Sequence, residues 1–186
     1  MEFSRPTSES KLNAILKTVV RRVLDRKYPE ALAICDWLIE DPATAVAGYR
    51  ERATVKELMG DAEAAIADLS KVIESGTVEP ADFHALGILL LKNGNTAAAV
   101  ESFTRSINHG TQQDFNYYTN SSLLFRAEAL LKLTDYENAL KDASRLPENY
   151  EAHVAGQGMR SKEAIISEAT LEIEKRSKSR FQFKAK

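Results

Sequence analysis

Apolar residues recur at intervals of three and four along most of the chain, which is the period of an amphipathic helix. They lie in segments rich in Ala, Leu, Glu and Lys, and most of the 8 glycines and 5 prolines fall between those segments. No segment clearly indicates a strand. The pattern therefore predicts an all-α protein built from short helices joined by turns.

The helical segments repeat at a regular interval along the chain. Four short stretches align when the chain is laid against itself, and they share the alanines Ala31, Ala65, Ala99 and Ala139. The first two intervals between these alanines are equal, at about 34 residues, and the third is longer. A six-residue insertion therefore interrupts the repeat after the third stretch. It either forms a loop over residues 110–116 or lengthens the helix that follows.

The third unit carries the most diagnostic residues of the repeat. They are Phe83, Leu86, Gly87 and Leu90 on the first helix, Gly94 and Asn95 in the turn, and Ala99, Phe103 and Ser106 on the second helix. A unit of this length with two helices, a tight turn and these residue types resembles the tetratricopeptide repeat (TPR) family. The second and fourth units fit the same pattern. The first unit fits less well, because Arg22 replaces a large apolar residue and Arg26 replaces the turn glycine.

The resemblance implies a right-handed solenoid of about four TPR-like helix pairs with a C-terminal capping helix. The expected organisation is a flexible N-terminus (1–8), a repeat domain (9–147, with units 9–42, 45–79, 80–113 and 117–147), C-terminal capping helices (148–178) and a basic tail (179–186). Within the cap, Ile165, Ala169 and Ile173 predict an apolar stripe that seals the last helix pair. Residues 149–156 predict a short helix leading into it.

Two pairs of charged residues provide an internal test of the repeat. Arg52 precedes Asp68 by the same interval as Arg126 precedes Asp142. At the equivalent positions the third unit has an uncharged pair, so the two charges are present together or absent together. We expect an ion pair between the helices of the second and of the fourth unit. If these pairs are partly exposed, each contributes roughly 0.2 to 1 kcal/mol to stability.

Composition narrows the range of partners and locations. The formal net charge is -2, from 25 Lys and Arg against 27 Asp and Glu, so overall charge does not favour binding to nucleic acid or to an anionic membrane. Cys35, the single cysteine, has no partner for an intramolecular disulfide, and the N-terminus lacks the apolar run of a secretory signal. No apolar run approaches the roughly 18 residues that a membrane span needs. A cytoplasmic location is the expectation.

No motif points to catalysis, to a metal or to a cofactor. The histidines His84, His109 and His153 lie in different parts of the chain without nearby ligands at zinc-binding spacing. Cys35 occupies a position on the second helix of the first unit where a small apolar residue is expected, so we interpret it as core packing rather than a reactive thiol. Phosphate-binding loops and hydrolase or metalloprotease motifs are absent from the sequence. The chain is therefore not expected to be an enzyme.

In the TPR family the first helices of successive units line a concave groove, and the resemblance places a partner-binding surface on them. The residues that we predict for this groove are Leu16, Val20, Arg50, Thr54, His84, Ile88, Leu91, Lys92, Leu124, Glu128 and Lys132. An apolar floor with a charged rim suits an amphipathic helix or an extended peptide better than a small polar ligand. Alternatively, a terminal segment of the chain itself fills the groove. The Lys, Asn and Arg carboxylate clamp that many members use for acidic chain ends is largely missing, which argues against chaperone-tail recognition.

The sequence thus predicts a non-enzymatic adaptor or scaffold that binds a protein or peptide partner. The alternatives are a dedicated inhibitor, immunity protein or secretion chaperone for one protein, and an enzyme with an unrecognised site. Trp37 lies one step off the core stripe, where it is either an exposed interface anchor or packed on the N-terminal helix. The basic segment from Lys175 to Lys186 is either a contact for an acidic partner or a solvated terminus.

Overall fold

The computed structural model describes residues 5–112 and 116–184, and the side chains of residues 5–111 and 117–178. The chain divides into two compact units, residues 1–78 and 79–186. The first contains the helices α1 (Glu9–Leu24), α2 (Tyr28–Ile39), α3 (Ala45–Leu58) and α4 (Ala62–Glu74). The second contains α5 (Pro80–Lys92), α6 (Thr96–Gln112), α7 (Asn116–Lys132), α8 (Tyr136–Ser144), β1 (Glu151–Val154), β2 (Gly158–Ser161) and α9 (Lys162–Lys184). Within each unit, every helix up to α8 packs against the next one along the chain, and α9 packs on α8.

The repeat predicted from the alanine spacing is present in the structure. Ala31, Ala65, Ala99 and Ala139 are each the fourth residue of a second helix, in α2, α4, α6 and α8 respectively. All four are fully buried. Because an alanine has only a methyl group, it allows the paired helix to approach closely at this point. This confirms four helix pairs with a common internal register.

The turn inside each helix pair also follows the repeat. Arg26, Gly60, Gly94 and Thr134 occupy the same turn position, and all four have a positive φ, of 56°, 85°, 80° and 61°. Glycine adopts this left-handed conformation most readily, which explains Gly60 and Gly94. Arg26 takes up the same backbone conformation without being glycine. The first unit therefore makes the turn of the repeat although its sequence departs from the pattern.

Gly87 on α5 is a point of very close helix packing. A Cβ atom at this position would lie 2.5 Å from Cε1 of Phe103, whose ring is fully buried on α6. The second repeat has Ala53 and Leu69 at the equivalent positions, where a larger residue on the first helix faces a smaller one on the second. The sizes of the two residues are therefore matched within each helix pair.

We expect Gly87→Ala to lower the free energy of unfolding by about 1 to 3 kcal/mol, because the added methyl group overpacks the Phe103 ring. This loss exceeds the gain of up to about 1 kcal/mol from better helix propensity. The double variant Gly87→Ala with Phe103→Leu reproduces the pair of the second repeat. Urea denaturation of all four proteins should show that Gly87→Ala costs less in the Phe103→Leu background. Equal costs in the two backgrounds would contradict a direct steric conflict.

The six-residue insertion is absorbed by longer helices. α6 and α7 each have 17 residues, against 13 in α4 and α5. Residues 110–112, which were predicted to belong to a loop, form the last part of α6, so that part of the prediction is wrong. The helix following the insertion is indeed longer, as in the alternative. Residues 113–115 of the predicted loop lie outside the described residues.

A β-hairpin precedes the last helix, and it corrects the predicted short helix over residues 149–156. β1 and β2 pair antiparallel, with Ala152 opposite Arg160 and Val154 opposite Gly158. The tight connection is possible because Gly156 and Gly158 both have a positive φ, near 80°. α9 follows directly and buries Ile165 and Ala169 as predicted, while Ile173 is half-buried. The cap is therefore a hairpin and one helix rather than helices alone.

Both predicted ion pairs are present and bidentate. Arg52 donates from Nε and Nη2 to the two carboxylate oxygens of Asp68 at 2.9 and 2.7 Å, and Arg126 does the same to Asp142 at 2.7 and 2.7 Å. The carboxylate side chains are only 4 and 5% exposed, so these pairs are not the partly exposed ones expected from sequence. Burial raises the pKa of Asp68, but hydrogen bonds from Arg52 and Lys56 outweigh it and hold that pKa below its ordinary value.

Candidate binding site

A cavity of about 320 Å³ lies in the second unit, between α5, α7 and the hairpin. Its size is in the lower part of the range found for ligand pockets. Side chains from all three elements line it: Ile88, Leu91 and Lys92 from α5, Phe125 and Lys132 from α7, and His153, Val154 and Ala155 from the hairpin.

The sequence of α5 explains why one of its faces is available. Ile88, Leu91 and Lys92 are three and four residues apart, so they share one face of the helix. Leu89 and Leu90 point elsewhere and are 2 and 9% exposed. Ile88 and Leu91 remain half-buried at the cavity. The helix is apolar on more than its core face, and the surplus apolar surface lies at the cavity.

The hairpin forms the third wall of the cavity and is fastened to α7 and α9. Arg160 on β2 donates from Nε to Glu128 on α7 at 2.5 Å and from Nη2 to Glu168 on α9 at 2.6 Å. Val154 on β1 is 2% exposed and belongs to the same apolar cluster as Leu124 and Leu131. An ion pair and an apolar anchor therefore hold the wall in place.

The charged residues that line the cavity are the two lysines, Lys92 and Lys132. Among the described residues that form the lining there is no carboxylate. The nearest acid on α7, Glu128, is 1% exposed and paired with Arg160. Burial raises the pKa of Glu128, and the hydrogen bond from Arg160 opposes that increase. The Glu128 charge is therefore balanced within the protein by Arg160.

His84 lies behind the cavity in a network of hydroxyl groups. Ser106 donates to the Pro80 carbonyl at 2.8 Å, and Ser122 donates to Ser106 at 2.9 Å. Since Ser122 has already used its only proton, its oxygen accepts from His84 Nδ1 at 2.9 Å. His84 Nε2 then accepts from Ser121 at 3.2 Å. This chain of donors fixes a neutral His84 with its proton on Nδ1.

Aromatic rings enclose His84 and connect it to the cavity wall. The rings of Phe103, Tyr118 and Phe125 have their centroids 5.6 to 5.8 Å from that of His84. Burial lowers the pKa of His84 from 6.5 to about 4. His84 therefore supports Phe125 from behind as a neutral side chain.

This environment predicts a loss of stability on acidification. Between pH 6.5 and 4 the unfolded chain binds a proton at His84 that the folded chain does not bind, so stability falls as the pH decreases. From pH 7 to pH 5 we expect this group to remove about 2 kcal/mol from the free energy of unfolding. Urea denaturation at both values should show a smaller decrease for His84→Gln. The exposed His153 provides the control, and a His153→Gln variant that flattened the profile equally would contradict the assignment.

The chain matches no protein-family model and no curated protein sequence. Solved structures of repeat proteins do match it. A putative kinesin light chain with nearly identical TPR-like repeats from Podosopora anserina has a TM-score of 0.65 and 16% identity, covering 96% of this chain and 94% of that chain. MamA has a TM-score of 0.62 and 14% identity over 86% of this chain and 96% of that chain. YrrB, a TPR protein with an unusual peptide-binding site, has a TM-score of 0.60 and 17% identity over 70% of this chain, and only 64% of YrrB is covered.

The chain has the tetratricopeptide repeat fold. The low identities establish the fold alone, and the whole activity of a longer protein such as YrrB does not follow from them. A TPR fold is typically a protein–protein interaction module and usually has no catalytic role. The predicted family resemblance and the all-α repeat architecture are therefore confirmed at the level of the fold.

In the second compact unit, the predicted groove residues lie on α5 and α7, the first helices of the third and fourth repeats. Some of them line the cavity and others are buried inside the protein. Ile88, Leu91, Lys92 and Lys132 line the cavity. Leu124 and Glu128 are 0 and 1% exposed, because α7 is covered where the hairpin packs on it. The hairpin therefore covers these two positions of α7 and leaves the cavity beside them. His84 is half-buried in the network described above.

In the first unit the predicted positions lie on α1 and α3. Leu16 packs against the core of that unit, and Val20 is 49% exposed. Arg50 donates to the Thr77 carbonyl at 3.0 Å, and the exposed Thr54 donates to the Arg50 carbonyl at 3.2 Å. Their role in binding stays a prediction.

Three other sequence predictions have structural outcomes. Trp37 packs against the core of the first unit, which includes residues of α1, and the Arg5 guanidinium lies 4.6 Å from its ring centroid. Cys35 is fully buried, and burial, followed by the Glu51 charge, raises its pKa to about 12, as suits core packing. α9 extends to Lys184 in the basic segment, whose side chains from residue 179 onward lie outside the described part.

The described part of the chain contains no cluster of His, Cys, Asp and Glu that could hold a metal ion. Within the same part, none of the helices is both long enough and apolar enough to cross a lipid bilayer.

Proposed function

We propose that the chain is a non-catalytic binding protein that holds a segment of a protein partner in the cavity between α5, α7 and the hairpin. The observation that carries the proposal is the half-buried apolar surface of Ile88, Leu91 and Phe125 in a cavity with a basic rim. Such a surface is favourable for apolar side chains of a partner and leaves their polar backbone near solvent. YrrB shows that a TPR fold can carry a peptide-binding site, which supports the same use here.

Affinity capture tests this proposal. Purified wild-type chain and the variants Ile88→Glu and Leu91→Glu are incubated with native lysate, and retained proteins are identified by mass spectrometry. Each variant places a carboxylate in the cavity, so both should release the same partner. Leu171→Glu is the matched control, since Leu171 is 52% exposed on α9 and does not line the cavity.

A photo-crosslinking amino acid locates the contact. Placed at Lys92, it should crosslink the captured partner, whereas placed at Leu171 it should not. Thermal unfolding of each variant confirms that the fold persists. A partner retained equally by Leu91→Glu, Ile88→Glu and wild type would exclude this cavity as the binding surface.

A further inference from the structure

We propose that the exposed face of α1, together with the end of α3, binds the surface of an anionic lipid membrane. The residues that make this contact are Lys17, Val20, Arg21 and Leu24 on α1 and Leu58 on α3. This α1 surface belongs to the first compact unit and shares no residue with the cavity. The inference therefore goes beyond the proposed function and does not depend on it.

Two apolar side chains lie on the exposed face of α1. Lys17, Val20, Arg21 and Leu24 are three and four residues apart, so they share one side of the helix. Val20 is 49% and Leu24 is 77% exposed, and neither packs in the core cluster of the first unit. The other side of α1 packs in that cluster, so packing within the unit does not explain the two exposed apolar residues.

The end of α3 extends this apolar surface. Leu24 and Leu58 are the last residues of α1 and α3, and the interval between them equals that between Ala31 and Ala65. The two helices are in contact and run in the same direction, as first helices of consecutive pairs, so their ends lie at one edge of the unit. Leu58 is 55% exposed, and the following residue, Met59, is 50% exposed. Apolar side chains therefore protrude from this edge.

α1 is much more basic than the chain as a whole. It contains four cations and one acid, Glu9 in its first turn, whereas the formal net charge of the chain is -2. Arg22 is paired with Glu30 at 3.1 Å. Lys17 and Arg21 are exposed and form no ion pair with any other residue that the structure describes. These two cations are therefore available to an anionic surface.

The carboxylates near the α1 surface lie at the helix ends and not on the exposed face of α1. Asp25 follows α1 directly, but it is followed by the exposed cations Arg26 and Lys27. Glu57 is in the last turn of α3, and Asp61 accepts from the Ala64 amide at 3.0 Å as the N-cap of α4. The helix dipole of α4 compensates part of the Asp61 charge. The local charge is therefore positive, and most strongly so on α1.

An anionic membrane matches this combination of exposed apolar and basic side chains. Leucine enters the boundary between headgroups and acyl chains, while lysine and arginine contact the lipid phosphates and carboxylates. A nucleic acid is bound chiefly through its phosphates, so the exposed leucines would contribute nothing to its binding. The core of a protein interface is depleted of charged residues, whereas Lys17 and Arg21 lie beside Val20 and Leu24 on the same face. The membrane is the partner that uses both features.

Vesicle co-sedimentation of the full chain tests the proposal. Wild type should bind vesicles of mixed phosphatidylcholine and phosphatidylserine but not of phosphatidylcholine alone, and salt should weaken the binding. Lys17→Glu with Arg21→Glu should lower the affinity about tenfold or more, and Leu24→Gln with Leu58→Gln about fivefold or more. Melting temperatures show that each variant is folded.

Matched control variants come from exposed positions of α9. Lys175→Glu with Lys178→Glu reverses two charges of the basic segment, and Leu171→Gln replaces a leucine that is 52% exposed. Both should leave the vesicle affinity within about twofold of wild type. Leu91→Glu, which alters the cavity, should also leave it unchanged, so that this proposal and the proposed function fail or succeed separately.

A fluorescent label shows whether the apolar side chains enter the lipid. The environment-sensitive dye NBD is attached to the thiol of Leu24→Cys, which reacts in preference to the fully buried Cys35. Its emission should increase and shift to shorter wavelength when phosphatidylserine vesicles are added, because the dye leaves water. The same dye on Leu171→Cys should show no such change.

Three results would overturn the proposal. The first is no binding to the anionic vesicles, or equal binding to both vesicle types. The second is a loss in the α9 charge variant as large as that in Lys17→Glu with Arg21→Glu. The third is full vesicle binding by Leu24→Gln with Leu58→Gln, which would make the contact purely electrostatic and favour an acidic protein or nucleic acid. A dimer in sedimentation equilibrium that this leucine variant abolishes would assign the α1 surface to a second copy of the chain instead.

Discussion

Replacing Arg126 with leucine is expected to lower the free energy of unfolding by about 3 kcal/mol. Asp142 is 5% exposed and receives two hydrogen bonds from this guanidinium. Without Arg126, the cation that remains beside this buried carboxylate among the described residues is the half-exposed Arg145, at 3.8 Å. The loss is measured by urea denaturation followed by far-ultraviolet circular dichroism.

A double variant that removes both charges can be copied from the third repeat. Leu86 and Ser102 occupy there the positions of Arg126 and Asp142, so Arg126→Leu with Asp142→Ser gives the fourth repeat the uncharged pair of the third. Because no buried charge is left unpaired, the double variant should lose only about 1 kcal/mol or less. Its stability should therefore exceed that of Arg126→Leu alone, although it carries one more substitution.

The second unit provides a graded comparison for the same pair. Asp68 accepts from Lys56 at 2.8 Å as well as from Arg52, so Arg52→Leu leaves one close cation in place. It should cost less than Arg126→Leu. Trp37, the single tryptophan, lies in the first unit and allows that unfolding to be followed by fluorescence. The prediction would be contradicted if Arg126→Leu left the free energy of unfolding unchanged and the double variant were less stable than Arg126→Leu. Arg126 would then not compensate the buried charge of Asp142.

The helix pairs could be predicted because their determinants are local and repeated. Ala65 and Ala99 are both small because the paired helix packs closely against them. Every repeat has one such position, so the alanines recur in the sequence. Arg52 and Asp68 could be paired from spacing, since both are fixed on rigid helices with a common register. Their burial could not be predicted, because it depends on neighbouring helices that lie outside the stretch between the two residues.

The hairpin and its effect on the cavity were missed because they interrupt the repeat. Only one residue of β1, Val154, is fully buried, so the alternating pattern of the strand is too short to be distinctive. The two glycines Gly156 and Gly158 were the available signal, since a Gly-x-Gly sequence favours a tight turn. Without the hairpin, the sequence places Leu124 and Glu128 in the groove and offers coverage by a terminal segment only as the alternative.

The sequence of α7 contained a further indication that its groove face is covered. Leu123 and Leu130 share one face of the helix, Leu124 and Leu131 share the neighbouring face, and all four are buried. The apolar surface of α7 is therefore wider than the stripe that packs on one neighbouring helix, which indicates a further covering element. The covering element is the hairpin on one side, and the cavity is the part of the groove that it leaves open.

Arg160 fastens that covering element, and Arg160→Met is expected to lower the free energy of unfolding by about 3 kcal/mol at pH 7. The substitution keeps an unbranched side chain on β2 but leaves the Glu128 carboxylate, 2% exposed, without its cation. Glu128→Gln in the same background removes the buried charge and should recover a large part of the loss. Urea denaturation of the single and double variants gives both values.

The pH dependence distinguishes an unpaired buried carboxylate from a loss of packing. Burial already raises the pKa of Glu128, and removing Arg160 takes away the hydrogen bond that opposes this. In Arg160→Met the folded state therefore binds a proton at Glu128 more readily than the unfolded chain, so that its stability relative to wild type should improve from pH 7 to pH 5. The contribution of His84 is common to both proteins and cancels in the difference.

Hydrogen exchange shows which part of the structure opens in Arg160→Met. We expect the amides of β1 and β2 to lose protection, because the hairpin is no longer paired with α7 and α9 through Arg160. Val154 still packs in the apolar cluster, so the opening is local and the amides of α5 and α6 keep their protection. Glu128→Gln with Arg160→Met should restore protection in the hairpin. The prediction would be contradicted if the loss of unfolding free energy in Arg160→Met were the same at pH 5 and pH 7 and the exchange of the hairpin amides were unchanged. Glu128 would then not be held by Arg160.

The hairpin wall of the cavity is held by the ion pair of Arg160 with Glu128. Weakening that pair should therefore reduce the affinity for a partner held against His153 and Ala155.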